Sequence, residues 1–243
     1  MLQLANKGTA ENAPSTDQFG EKRGEHPAIG AVEIFGSYKV TTADELVNAI
    51  NTARSGNLIT LSDGTFTLSS PLTLNKAITL QGSGNTVLQG KGSSRVIDIN
   101  ADAKIYNLTI SCESNNKSQT GGGVIRISSG HPTIKNCTIT GNYANNGGGI
   151  VVLNNSSAEI IGCTVTGNET DYMGGGILIE GSTAAITNCT ITSNKSHDGG
   201  DGVCVSNGSA EITNCNISGN GESRGDGVYV RYKSTAKITN CTI

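Results

Sequence analysis

A cysteine recurs every 26 residues through the second half of this 243-residue chain. Each copy lies in a phrase of the form I-x-N-C-x-I-x-x-N, seen as "ITNCTITSN" from Ile186 and as "IKNCTITGN" from Ile134. A fixed period of this length is typical of a protein built from stacked structural repeats. We therefore predict a solenoid. The repeated cysteines are Cys137, Cys163, Cys189, Cys215 and Cys241.

Each repeat contains short strands joined by a corner. Glycine-led phrases such as "GGGILI" and "GDGVYV" alternate apolar residues with period two, as half-buried strands do. In the Cys phrase the alternation breaks at one position, which holds Asn or Gly, and both residues tolerate positive φ. We predict a left-handed corner there in every repeat. The corner residues are Asn107, Asn136, Gly162, Asn188, Asn214 and Asn240.

Three short strands and three turns in about 26 residues describe one rung of a right-handed, single-stranded parallel β-helix, an all-β solenoid whose rungs lie about 4.8 Å apart. Leucine-rich repeats are the alternative, because their L-x-x-L-x-L-x-x-N pattern and length also fit. The rest of each repeat is rich in Gly and β-branched residues and poor in helix formers, which favours the β-helix.

The chain is predicted to have three parts. Residues 57–243 form the β-helix, with no cap at its C-terminal end, and residues 1–36 form an extended N-terminal segment. Residues 37–56 form a strand and a helix that caps the first rung. Thr42 and Glu45 make a capping box, Leu46, Val47, Ile50 and Ala53 make an apolar stripe, and Gly56 ends the helix.

Composition excludes several classes of function. The formal net charge is -3, from 17 basic and 20 acidic side chains, so nothing indicates a nucleic-acid partner. No apolar run approaches the roughly 20 residues of a membrane span. Seven cysteines is an odd number, and five of them occupy the repeated position, so disulfide counting does not indicate a compartment.

The helix "TADELVNAINTA", the following "ITLSDGTFTL" and the N-C-T-I-T-G-N and G-G-G-I phrases together resemble the pectate-lyase-like β-helix superfamily. The resemblance covers residues 37–243 and is greatest to bacterial surface proteins with polymorphic outer-membrane-protein-like repeats. It implies the β-helix fold. It does not select a function, because polysaccharide lyases, hydrolases, phage tailspikes and adhesins share this scaffold.

The N-terminal segment resembles the end of such a domain. "STDQFG" and "IGAVE", within residues 15–33, are similar to the closing segments of bacterial β-helix domains, although here they come first. One interpretation is that the chain is a piece of a longer tandem surface protein. The other is that this segment caps the open last rung of another molecule and so gives head-to-tail filaments.

One acidic cluster is a candidate ligand site. Asp201 and Asp226 lie one rung apart, with Asp198 and Arg224 nearby, and stacked acidic residues can hold calcium. The alternative is that these are ordinary solvated turn residues. Calcium is the candidate cofactor, no other is expected, and no catalytic or other metal-binding residues are identified.

The Cys column is predicted to be structural, because thiols that point inward on parallel rungs do not create a tetrahedral metal site. Val151, Leu178, Cys204 and Tyr229 form a predicted outer stripe, in which Cys204 is the exposed, reactive thiol. The corner asparagines are expected to pack within the stack, so that their N-x-T sequons carry no glycosylation signal.

The expected function is that of a secreted or cell-surface structural and adhesive module. Its expected partners are copies of itself or neighbouring domains, with carbohydrate as a further candidate. The alternative is a polysaccharide lyase or glycoside hydrolase acting on an acidic polysaccharide, which needs paired carboxylates or a basic side chain beside the sugar. Either function places the chain outside the cell or on its surface.

Overall fold

The computed structural model describes residues 36–91, 95–112, 122–221 and 227–243. Within these ranges the chain forms a short helix and many short strands, and residues Ser37–Ile243 make one compact unit. Apart from Gly36, the predicted N-terminal segment lies outside the described residues. Its similarity to a closing segment and its role in assembly therefore stay predictions.

The elements fall into two groups, before and within the regular repeats. The first group is β1 (Ser37–Val40), α1 (Ala43–Thr52), β2 (Leu58–Leu61), β3 (Gly64–Leu68), β4 (Leu72–Leu74), β5 (Thr79–Gly90), β6 (Ile97–Ile99), β7 (Lys104–Cys112) and β8 (Ile125–Ile127). The second group is β9 (Thr133–Lys135), β10 (Thr138–Thr140), β11 (Tyr143–Ala144), β12 (Ile150–Val152), β13 (Ser157–Ile161), β14 (Thr164–Thr166), β15 (Glu169–Thr170), β16 (Ile177–Glu180), β17 (Thr183–Thr187), β18 (Thr190–Thr192), β19 (Lys195–Ser196), β20 (Val203–Ser206), β21 (Ser209–Thr213), β22 (Asn216–Ser218), β23 (Val228–Arg231) and β24 (Thr235–Thr239).

The strands stack into three faces. Face A contains β1, β2, β9, β13, β17, β21 and β24, and face B contains β3, β10, β14, β18 and β22. The long strands β5 and β7 contribute their first halves to face A and their second halves to face B. Face C contains β4, β6, β8, β12, β16, β20 and β23, and a short ladder joins β11, β15 and β19. The described strands pair in parallel, which confirms the predicted β-helix.

Stacking in register converts each repeat position into a column. Ile134, Ile160, Ile186, Ile212 and Ile238 are paired in succession across face A. The first four are fully buried, as are the equivalent inward Ile and Val side chains of faces B and C. The part of each repeat outside the Cys phrase forms strands rather than helices. The leucine-rich-repeat alternative is therefore excluded.

The repeated cysteines lie inside the stack. Cys137, Cys163, Cys189 and Cys215 are between 1 % and 3 % exposed, and the thiols are free. The backbone N–H of Cys163 donates to Sγ of Cys189 at 3.4 Å, and the Cys189 thiol donates to the Ile160 carbonyl at 3.4 Å. Each sulfur thus acts as a small apolar group that also satisfies weak hydrogen bonds between rungs.

A second column, made of asparagines, runs through the interior. Nδ2 of Asn142 donates to Oδ1 of Asn168 at 2.7 Å, and the bond repeats from Asn168 to Asn194 at 2.9 Å and from Asn194 to Asn220 at 3.0 Å. Asn168 and Asn194 are fully buried. Their amides also donate to carbonyls on face B, including that of Ile139 at 3.0 Å. The Asn168 and Asn194 amides are therefore held by the rung on either side.

Helix α1 covers the first rung, where it packs against β1, β2 and β3. The capping box is present, because Glu45 N–H donates to the Thr42 hydroxyl at 3.2 Å and Thr42 N–H donates to the Glu45 carboxylate at 3.3 Å. Hydrogen bonds from the backbone and hydroxyl of Thr41 lower the pKa of Glu45. A carboxylate at this end also interacts favourably with the helix dipole.

The predicted details of the helix need two corrections. Val47 is 41 % exposed, whereas Ala49 is buried, so the apolar stripe is displaced by part of a turn. The helix ends at Thr52 rather than near Gly56. The Lys76 ammonium binds its free carbonyls, donating to Asn51 O at 2.9 Å and to Ala53 O at 2.7 Å. A cation from a later rung therefore caps the C-terminal end of the helix.

We predict that Asn168→Ala destabilises the protein by about 3 kcal/mol, because it leaves the buried backbone N–H and side-chain amide of Asn142 without their acceptor. Urea denaturation followed by circular dichroism measures this change. The matched control is Asn216→Ala, on the exposed side of β22, for which we expect a change of less than about 0.5 kcal/mol. Equal effects of the two substitutions would contradict a stabilising role for the Asn column.

We also predict that the buried thiols resist alkylation in the folded protein. The hydrogen bond with Cys137 and burial raise the pKa of Cys163 to about 12, and the bond with Cys163 and burial raise that of Cys189 to about 12. At about pH 8.5 both remain protonated and covered. After a short iodoacetamide pulse, peptide mapping should find label mainly at the partly exposed Cys241. Labelling of Cys189 as fast as Cys241 would be the opposite result.

Candidate functional site

Two of the four residues of the predicted acidic cluster, Asp198 and Asp201, lie within the described ranges. Asp201 is fully buried, and its Oδ1 accepts hydrogen bonds from the Ser196 hydroxyl at 2.9 Å and from the Ser196 backbone N–H. Asp198 is exposed, and its N–H donates to the Tyr172 carbonyl at 2.9 Å. The expectation of a solvated turn is wrong for Asp201, which ties its own loop to β19. Arg224 and Asp226 lie outside the described residues.

The described residues bring no three His, Cys, Asp or Glu side chains together as a metal site. Asp201 directs one carboxylate oxygen to Ser196, and Asp198 lies in the exposed part of the turn. Calcium stays a prediction for this cluster, because two of its four candidate residues are not described.

The corner residues adopt left-handed backbone conformations, with φ of 53° at Asn136, 62° at Gly162 and 56° at Asn188. Their side chains do not pack within the stack, because Asn136, Asn188 and Asn214 are exposed. The expectation that the corner sequons are buried is therefore wrong. Gly162, which has no side chain, leaves room for the Asn136 side chain on the rung before. A Cβ at this position would lie 2.6 Å from Oδ1 of Asn136.

The outer stripe of face C is covered. Leu178 and Cys204 are fully buried and Val151 is 2 % exposed; the three pack with Leu153, Met173 and Tyr229. The turn glycines pack closely against these side chains. A Cβ on Gly174 would lie only 2.8 Å from Cβ of Leu178. The prediction of an exposed, reactive Cys204 is wrong. Burial raises the pKa of its thiol to about 11.

Tyr143 and Tyr172 lie on successive rungs but belong to different columns. Tyr143 pairs in register with Glu169, and its hydroxyl donates to the Asp171 carboxylate. Burial, followed by the bond to Asp171, raises the pKa of Tyr143 to about 12. Tyr172 is 55 % exposed. The pair does not form a stacked platform for a sugar.

A shallow groove of about 600 Å³ runs along face A. One of its columns carries Glu159, Ala185, Glu211 and Lys237 on successive rungs. The small Ala185 leaves a notch between the two glutamates. A neighbouring column supplies hydroxyl groups, and its members are Ser157, Thr183, Ser209 and Thr235.

The charges in the groove are partly neutralised. Nζ of Lys237 lies 2.8 Å from Oε1 of Glu211, and this hydrogen bond lowers the pKa of Glu211. Glu159 accepts a hydrogen bond from the Thr133 hydroxyl at 3.3 Å. The groove therefore offers hydroxyls, two carboxylates and one ammonium group along several rungs. These groups suit the hydrogen-bonding pattern of an extended polar polymer.

Sequence reasoning missed both the groove and the buried Asn column, although each has a signal in the 26-residue period. Asn142, Asn168, Asn194 and Asn220 are the last letters of the repeated phrase, spaced by one period. The charged column of the groove is also spaced by one period, at Glu159, Ala185, Glu211 and Lys237. In both cases the period predicts stacking, but the sequence alone does not reveal which side of the turn is buried.

Solved structures to which this chain is similar include polysaccharide lyases. The PL6 family alginate lyase AlyGC matches with a TM-score of 0.46 and 15 % identity over 93 % of this chain and 42 % of its own. An alginate lyase from Paenibacillus sp. str. FPU-7 gives 0.36 and 13 %, over 85 % of this chain and 99 % of its own. Pectate lyase Pel9A gives 0.35 and 14 %, over 86 % and 78 %.

The chain thus spans less than half the length of AlyGC, the first of these structures. A comparison with curated protein sequences gives no match. Helix α1 has ten residues, which is too few to cross a membrane. No helix in the described ranges is long and apolar enough to do so. Residues 48–243 match the family described as "Right handed beta helix region", and the chain belongs to that family.

Proposed function

We propose that the chain is a structural module of a secreted or cell-surface protein. In this proposal its stacked rungs form a rigid support that presents turns and outer faces for adhesion. Another β-rung, from a neighbouring domain or from another copy of the chain, covers its exposed last rung. The N-terminal segment 1–36 is the candidate for that covering rung in a head-to-tail assembly.

The observation that carries this proposal is the unbroken in-register stacking of rungs, in which Ile134, Ile160 and Ile186 form one fully buried column. Val230 is 40 % exposed, whereas Val205, its partner on the rung before, is fully buried. Ile238 is 39 % exposed, and its partner Ile212 is fully buried. Apolar side chains in such positions gain free energy when another rung removes them from water.

The backbone of the last rung supports the same proposal. Strand β24 pairs with β21 along its whole length, from Thr235 to Thr239, so one edge of β24 is used. Its other edge has no strand against it among the described residues. Open edges of this kind bind added strands readily. The last rung thus combines an open backbone edge with a partly exposed apolar inner surface.

We predict that Ile238→Asp weakens self-association of the full chain, because a carboxylate would be buried in the contact between rungs. Sedimentation velocity over a range of concentrations measures the effect. The matched control, Thr239→Asp, adds the same charge on the outward side of β24 and should leave association unchanged. Circular dichroism checks that both variants are folded.

A second variant tests the N-terminal segment. Deletion of residues 1–34 removes the proposed covering rung and should abolish polymers in electron micrographs. Polymers of the truncated protein would rule out head-to-tail assembly through this segment. A full chain that stays monomeric at every concentration would rule out self-assembly and leave a neighbouring domain as the covering rung.

The second candidate function is cleavage of an acidic polysaccharide, which the groove on face A favours. Glu159 and Glu211 flank the notch at Ala185, and an extended chain of sugars would fit along the hydroxyl column. Lys237 is the basic group of the groove, and its side chain is held by Glu211. The lyases with this fold act on alginate or pectate by name, and the transfer of such an activity to this chain is part of the proposal.

The two candidates predict different results when the chain is incubated with alginate or polygalacturonate. A lyase releases unsaturated sugars that absorb in the ultraviolet, and a hydrolase releases new reducing ends. The structural proposal predicts neither signal above the buffer control, with or without calcium. Product formation that Glu159→Ala abolishes, while Thr187→Ala outside the groove does not, would favour the enzyme and contradict a purely structural role.

A further inference from the structure

The outer side of face B carries a two-dimensional array of hydroxyl groups. Strands β10, β14 and β18 have the sequences TIT, TVT and TIT, and they pair in register. The apolar residue of each points inward, so both threonines point outward. The array continues through β7 and β22. Its members are Thr109, Ser111, Thr138, Thr140, Thr164, Thr166, Thr190, Thr192, Asn216 and Ser218.

The fold sets the two repeat distances of this array. Neighbouring rungs are about 4.8 Å apart, which fixes the spacing along each column of hydroxyls. Two residues along a strand span about 6.6 Å, which fixes the spacing between the columns. Five rungs therefore extend the array over about 19 Å. The pairings from β7 to β22 contain no shift of register.

The array is held rigidly from behind. Ile139, Val165 and Ile191, which lie between the threonines of each strand, are fully buried. The Cys column lies before these strands and the hydrogen-bonded Asn column follows them, so both ends of each strand are fixed. The threonine hydroxyls therefore have little freedom beyond rotation of their own side chains.

Most of these hydroxyls are available to a partner. Thr192 donates to the Thr166 hydroxyl at 3.3 Å. Within the described residues, the hydroxyls of Thr138, Thr140, Thr164 and Thr190 form no hydrogen bond to protein, and each residue is at least partly exposed. Each threonine also presents a methyl group, which makes the surface partly apolar as well as hydrogen bonding.

The charge of face B indicates the chemistry of its partner. From β7 to β22 its outward positions carry neither charged nor aromatic side chains, whereas face A carries Lys135, Glu159, Glu211 and Lys237. Acidic or basic polymers bind through opposite charge, and protein interfaces are enriched in aromatic side chains. A neutral partner that forms hydrogen bonds and repeats in two directions complements this face best.

We propose that face B binds the surface of crystalline ice. Flat planes of ice present water oxygens that repeat along two directions at distances close to those of the array, and every surface water can donate or accept a hydrogen bond. The fixed hydroxyls would take up positions that water occupies at the ice surface, while the methyl groups cover the spaces between. This binding is independent of assembly through the last rung.

The test is growth of ice crystals in the presence of the full chain. We expect faceted crystals, a gap between melting and freezing temperatures, and slowed recrystallisation. Thr164→Lys places a long charged side chain in the middle of the array and should remove all three effects. The matched control Thr187→Lys, on the outward side of β17 in face A, should keep them, with circular dichroism confirming that both variants are folded.

Three results would overturn the proposal: no effect of the unmodified chain on ice growth, loss of the effect in both variants alike, or retention in Thr164→Lys. Sedimentation with crystalline cellulose or chitin provides a further arm. Binding to these solids without any effect on ice would show that the hydroxyl array recognises a polysaccharide instead, and would also contradict the proposal.

Discussion

The structure depends on the stacking of successive rungs in strict register. Parallel hydrogen bonds between rungs place each residue directly beside the residue one period later, so a position in the repeat becomes a column. Inward columns of Ile and Val form the core of the regular repeats. The Asn column is compatible with this core because each buried amide bonds to the next rung. If the register slipped by one residue, these amides and the inward Ile side chains would exchange places with outward threonines.

Much of the fold follows from the sequence by simple physical rules. The period of 26 residues, the Asn or Gly at one position and the alternating apolar residues are enough to predict a rung with a left-handed corner. The capping box of α1 was equally readable, because it depends on two residues close in sequence. These features are local or periodic. The prediction of the right-handed parallel β-helix is accordingly confirmed.

The failed predictions concern how the turns close and which side chains they bury, together with one contact between distant residues. Asp201 has the sequence context of a solvated turn, and only the fold of the loop brings it to Ser196. Cys204 alternates outward, as predicted, but the turn glycines cover it. Lys76 ends α1 from a later rung, and no helix signal in the sequence indicates this. Burial at the turns depends on how the loop closes, which the repeat pattern does not specify.

The inward columns hold the stack together. The outward columns do not, so their side chains differ from one face to another. Face A is charged and grooved, whereas face B is neutral and rich in hydroxyls, although buried Ile and Val columns support both. The most direct test is detection by nuclear magnetic resonance of scalar couplings through the backbone hydrogen bonds between rungs. The register predicts couplings from the N–H groups of Thr164, Thr190 and Asn216 to the carbonyls of Cys137, Cys163 and Cys189, respectively. Couplings to carbonyls at other positions would contradict the register on which every column depends.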